Sequence, residues 1–143
     1  MLAMVAVGLY AAQLGGRGLW LLPSAFVGTM VVGGLVGYLG VALPMVEPGI
    51  GLSVVAMGAL IALGVRLPSL AATALVAAFA LAHGHAHGSE GAELASFLTY
   101  AAGFVAATAL LHGAGIALGL ALDRLAPLPA TVIRRAAGAA GAL

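Results

Sequence analysis

The sequence predicts an all-α integral membrane protein: one polytopic domain over residues 1–143, a bundle of about six transmembrane helices with the first and last truncated. Three observations carry that reading. Hydrophobic residues make up 64% of the 143 and charged residues 6%, with no lysine and a mean hydropathy of +1.22. A soluble domain carries about 25% charged residues, so this chain cannot clothe a surface that faces water. Apolar runs recur along the whole length, separated by short breaks of Gly, Pro or charge. The charges that fall in those breaks sort by sign.

The elements follow in order. The first helix is expected over about 1–14, ended by Gly15-Gly16-Arg17-Gly18. The second, about 19–43, has Trp20 near its start as an interfacial anchor and stops at Pro44 and the Glu47-Pro48-Gly49 run. The third, about 50–65, is closed by Arg66 and Pro68. The fourth, about 69–87, carries a histidine cluster at its far end, and Glu90-Gly91-Ala92-Glu93 forms the next break. The fifth is expected over about 94–122 with His112 inside it, and the sixth over about 129–143. A helical span needs about 20 apolar residues, so the first and last runs are short. No charged n-region followed by a cleavage site is seen, so insertion begins from the first hydrophobic segment or the true start lies upstream.

Counting the breaks alternately, Arg17, Arg66 and Arg124 occupy the odd ones, and Glu47, Glu90 and Glu93 the even ones. By the positive-inside rule the arginine breaks face the cytoplasm, which puts the histidine cluster on the extracytoplasmic side of the cytoplasmic membrane. A net charge of +1 leaves no basic stripe for nucleic acid, and zero cysteines exclude disulfides and thiolate metal sites. No room remains for a separate soluble enzyme module, and no G-x-x-x-x-G-K-[ST] loop is present.

Function is expected where polarity is concentrated. Leu81 to Glu90 holds three of the four histidines and one of the four acidic residues. On a helix, His83 and His87 stand one turn apart and Glu90 follows three residues later, all within about 60° of arc. Two imidazoles and a carboxylate converging on one point suit a transition metal held by nitrogen and oxygen. The alternatives are a solvated histidine-rich loop end, a proton relay, or a surface acid or helix cap at Glu90. His85 lies on the opposite face unless Gly84 and Gly88 loosen the helix and let it turn inward. His112, about 15 Å from the cytoplasmic end of its helix, lines a pathway or makes an interhelical hydrogen bond. Glu47 and Glu93 are loop acids placed to attract cations. Glycines spaced by four, at 33 and 37, 84 and 88, and 115 and 119, let helix backbones approach closely, within the chain or in a homo-oligomer.

The run His83-Gly84-His85-Ala86-His87-Gly88-Ser89-Glu90 resembles the signature Phe-His-Gly-x-Ala-His-Gly-x-Glu of the HupE/UreJ family, polytopic membrane proteins encoded with hydrogenase and urease systems and regarded as nickel permeases, some handling cobalt. Ala82 stands where that signature has Phe, the nearest aromatic being Phe79. The likeness extends to Gly8-Leu9-Tyr10-Ala11-Ala12-Gln13-Leu14-Gly15-Gly16 and to Ala107-Thr108-Ala109-Leu110-Leu111-His112. The family's second signature, a His followed five residues later by Asp-His, is missing here; Met1 to Gly8 resembles the stretch that directly follows it.

The resemblance implies uptake of nickel(II), with cobalt(II) possible, across the cytoplasmic membrane to supply hydrogenase or urease maturation. It implies no organic cofactor and no enzyme activity. His83, His87 and Glu90, with His85 and His112, are the metal residues it points to. Because histidine binds metal only when neutral, uptake is expected to fall as external pH drops through roughly 6.5. Three other classes compete. These are a metal storage or sensing membrane protein without transport, a b-type haem protein with His83 or His87 and His112 as axial ligands, and an intramembrane zinc hydrolase, for which the chain lacks HExxH.

Overall fold

A computed structural model describes residues 1–91, 96–125 and 138–139. Among them are five α-helices and no strand: α1 Leu2–Leu14, α2 Gly18–Tyr38, α3 Val46–Ala62, α4 Ser69–Gly91 and α5 Phe97–Leu125. The sixth helix expected at 129–143 lies outside the described residues apart from 138 and 139, as does Glu93. Three helices, α2, α4 and α5, are long and apolar enough to cross a membrane, whereas α1 and α3 have 13 and 17 residues.

Local chemistry sets the boundaries. Helices α1, α2 and α3 are followed by glycines in the left-handed region, Gly15 (φ 69°), Gly40 (φ 71°) and Gly64 (φ 67°), where a Cβ would be strained. Gly40 therefore ends α2 five residues before the stop expected from hydropathy alone. Conversely, α3 opens at Val46 rather than at residue 50. Pro48 falls in its first turn, where a missing N–H leaves no ladder bond unmade, and Glu47 there complements the helix dipole. Helix α4 continues through the expected break to Gly91, so Glu90 belongs to the helix that carries the histidines.

The helices form two tight pairs, α2 against α4 and α1 against α5. Glycine makes both possible. A Cβ on Gly33 or Gly37 of α2 would strike the carbonyl oxygen of Leu81 or His85, and one on Gly84 or Gly88 of α4 would strike that of Met30 or Gly34. In α1 and α5 the same role falls to Gly8 against the His112 carbonyl and Gly115 against that of Val5. Lipid tails are as apolar as leucine, so helices in a bilayer associate through such close packing rather than through a hydrophobic effect. The glycine pairs expected to serve packing are thus used inside the chain. Outward-facing Leu70, Leu98 and Leu110 are more than 70% exposed, as lipid contact requires.

The interior gathers Val7 and Tyr10 of α1, Leu22, Phe26 and Met30 of α2, Met57 and Ile61 of α3 and Val76 of α4, each 1% exposed or less. Two polar side chains of α1 lock the end opposite the histidines. Tyr10 Oη accepts the Leu67 N–H (3.1 Å), and Gln13 Nε2 donates to the Val65 carbonyl (3.0 Å), fixing the α3–α4 connection.

Candidate metal site on helix α4

Regular helical geometry across residues 69–91 decides which histidines share a face. Gly84 and Gly88 do not loosen the helix; they admit the α2 backbone. His83 and His87 lie one turn apart on one side, and His85 turns to the other, where its Nε2 donates to the Val41 carbonyl (2.8 Å) just beyond the end of α2. In this structure His85 is a tie between α4 and the α2–α3 loop.

His83 is buried, 5% exposed, about 12 Å along the helix from Gly91. Its Nε2 lies 2.9 Å from Ser53 Oγ of α3, and its ring packs against Phe26 of α2 (centroids 5.8 Å). Ser53 in turn donates to the Ile50 carbonyl at 2.6 Å. His87 is partly exposed and faces α5. Its Nδ1 stands 3.0 Å from Tyr100 Oη and 3.3 Å from Glu90 Oε2, and Tyr100 donates to the same carboxylate oxygen at 3.3 Å. Phe104 covers one side of the ring (centroids 4.4 Å).

The expected convergence of His83, His87 and Glu90 on one point is not what forms. Among the described residues no group of three or more His, Asp or Glu side chains is placed to hold an ion together. His87 and Glu90 meet at the helix end, while His83, one turn deeper, is drawn toward α3 and α2. The reason is that each imidazole has found a hydroxyl on a different neighbouring helix.

His112 lies deeper still. It is 1% exposed, and among the described residues neither ring nitrogen has a hydrogen-bond partner. The Thr108 carbonyl one turn back is near but makes no well-formed bond with the ring. Its ring meets the edge of Phe26, centroids 4.9 Å apart, so that a single aromatic packs against both His83 and His112. An unmet buried polar group costs about 1–3 kcal/mol, so this histidine is kept at the expense of stability. A cavity of about 450 Å³ runs from His87 and Tyr100 past Phe104 and Met4 to Thr108, one turn from His112. A second groove, between α2 and α5, includes His112, Ser24 and Pro23 in its lining. Glu47 is exposed at the start of α3, at the same end of the bundle as His87.

Ser53, Tyr100 and Phe26 are the site residues that sequence reasoning missed. Ser53 alone carried a signal, as the one polar side chain between Ile50 and Val65.

A protein-family model described as HupE / UreJ protein matches residues 1–143. The chain belongs to the HupE/UreJ family. It is 48% identical over 138 residues to "Protein HupE" of Rhizobium leguminosarum bv. viciae, an alignment covering 96% of this chain and 71% of that protein. No solved structure matches it. HupE/UreJ proteins are permease-type accessory proteins and not enzymes. Family and apolar helices together make this a multi-pass membrane protein.

Proposed function

We propose that this chain carries nickel(II), and less selectively cobalt(II), across the cytoplasmic membrane to supply hydrogenase or urease maturation. The observation that supports the reading best is the face of α4 on which partly exposed His87, beside Glu90, leads to buried His83 one turn deeper. Ionisable groups within a membrane span are costly and belong by default to ion pathways. Imidazole suits nickel and cobalt well, and the Irving–Williams order places nickel above cobalt for the same nitrogen and oxygen donors.

The arginine-bearing breaks face the cytoplasm, so the His87 end faces outward. Glu47 and Glu90 raise the local cation concentration at that mouth. The ion exchanges water for His87 and His83, and the unpartnered His112 receives it nearer the cytoplasm. Accumulation of radioactive nickel by cells expressing the chain tests the reading. His87→Ala is expected to abolish accumulation while the protein still inserts and purifies as wild type. Wild-type accumulation by that variant rules the site out. Tight nickel binding by purified protein with no accumulation in cells moves the function to storage or sensing.

A further inference from the structure

The hydroxyl groups beside His83 and His87 assign a proton to one nitrogen of each ring. Ser53 has a single hydrogen, and at 2.6 Å from the Ile50 carbonyl it lies on that bond. The Ser53 oxygen can then only accept from His83, so His83 carries its hydrogen on Nε2 and keeps the lone pair on Nδ1. At His87 the inventory runs the other way. A carboxylate is acceptor-only, and Tyr100 points its hydrogen at Glu90 Oε2. A bare Nδ1 lone pair 3.3 Å from that oxygen would be repelled, so Nδ1 of His87 carries the hydrogen and Nε2 keeps the lone pair.

We propose that Ser53 and Tyr100 are positioning residues that hold His83 and His87 in opposite tautomers, offering a metal ion Nδ1 of the first and Nε2 of the second, with Glu90 acting from behind His87 and not on the ion. The two nitrogens of an imidazole point to opposite edges of the ring. A carboxylate bonded at Nδ1 cannot reach an ion on Nε2 without releasing the ring, which is the usual carboxylate–histidine–metal arrangement. Glu90 and Tyr100 fix the ring and raise its basicity, and Ser53 does so for the neighbour. This explains why the two histidines of one face look to α3 and α5, and why the triad of donors does not close on a point. The inference rests on the uptake reading for its purpose but not for its geometry.

The test separates the two. The full chain, labelled with ¹⁵N-histidine and held in lipid nanodiscs without metal at about pH 8, reports each tautomer through its ring-nitrogen shifts. The four histidines are assigned by single His→Gln replacements. His83 is expected as the Nε2–H form and His87 as the Nδ1–H form. Tyr100→Phe should disturb His87 alone and Ser53→Ala His83 alone, with Ser53→Thr restoring the wild-type His83 pattern; unchanged His85 and His112 signals certify the fold. Loss of an outer partner of this kind weakens metal binding about 10- to 100-fold, so Tyr100→Phe should raise the nickel Kd by that factor. Identical tautomers at His83 and His87, or Tyr100→Phe without effect on His87 or on the nickel Kd, overturn the proposal. The expected tautomers in a wild-type protein that binds no nickel establish the geometry and remove the uptake reading instead.

Discussion

Gly88→Ala is expected to damage the bundle more than its one added methyl suggests. The new Cβ would stand 2.7 Å from the Gly34 carbonyl carbon and 2.8 Å from its Cα, and closer still to its oxygen, where ordinary contact begins at 3.4 Å. All three atoms are backbone, so no side chain can swing aside. Helices α2 and α4 must separate by roughly 1 Å along the glycine seam, which loosens the packing around Leu81, Gly84 and His85 and costs about 1–3 kcal/mol on the scale of core overpacking. Gly103→Ala is the matched control, since nothing lies within 4 Å of its Cβ, and an unhindered surface change shifts stability by about 0.5 kcal/mol or less. Reversible unfolding in mixed micelles with increasing SDS reads the difference, and nickel accumulation reads its consequence for His87. Equal stability of the Gly88 and Gly103 variants would refute the close-approach argument.

Further outcomes follow from the histidines. His112→Leu should stabilise the protein by about 1–3 kcal/mol, because it removes a buried group with no partner, while lowering nickel accumulation; SDS unfolding beside uptake shows whether the two move in opposite directions. His85→Ala should cost about 1 kcal/mol by deleting the bond to the Val41 carbonyl and leave the nickel Kd close to wild type, as calorimetry would show; a large loss of affinity would make His85 a ligand. Gln13→Leu should lower stability by a similar amount through the lost bond to the Val65 carbonyl without altering nickel affinity.

Hydropathy made the membrane class and the helical runs legible because every span must carry its own apolar surface to the lipid, which a single sequence records residue by residue. What it could not record was the direction of each terminus. Pro48 reads as a breaker until it is seen in the first turn of α3, and the run through Gly88 reads as a weakening of α4 until the Gly34 backbone is seen filling the space. The face shared by His83 and His87 followed from spacing alone, as did the opposite placing of His85. Their partners did not: Ser53 is 30 positions from His83 and Tyr100 is 13 from His87, and nothing in the local pattern states which helix comes to rest against which. The expected convergence of donors failed for that reason. Helical spacing fixes where Cβ atoms emerge, and the rings then rotate to whatever hydroxyl the neighbouring helices supply.

The three histidines form a series whose order bears on mechanism. His87 is partly exposed and hydrogen-bonded, His83 is buried and hydrogen-bonded, and His112 is buried and unpartnered. On the uptake reading the deepest station is the one with the most to gain from an arriving ion, since coordination there satisfies a nitrogen that has no hydrogen-bond partner among the described residues. That gain offsets part of the cost of drawing a divalent ion into the bundle, a cost that grows with depth. Phe26 touches both buried rings and gives an ion no oxygen or nitrogen in exchange for water. On the same uptake reading, an ion resting on His83 would be held back from His112 until that ring moves. Replacing Phe26 by Ala should accelerate nickel flux in both directions across reconstituted vesicles and leave the resting affinity at His83 and His87 little changed. Slower flux, with intact folding, would make Phe26 a packing residue and place the ion's route in the cavity beside Thr108.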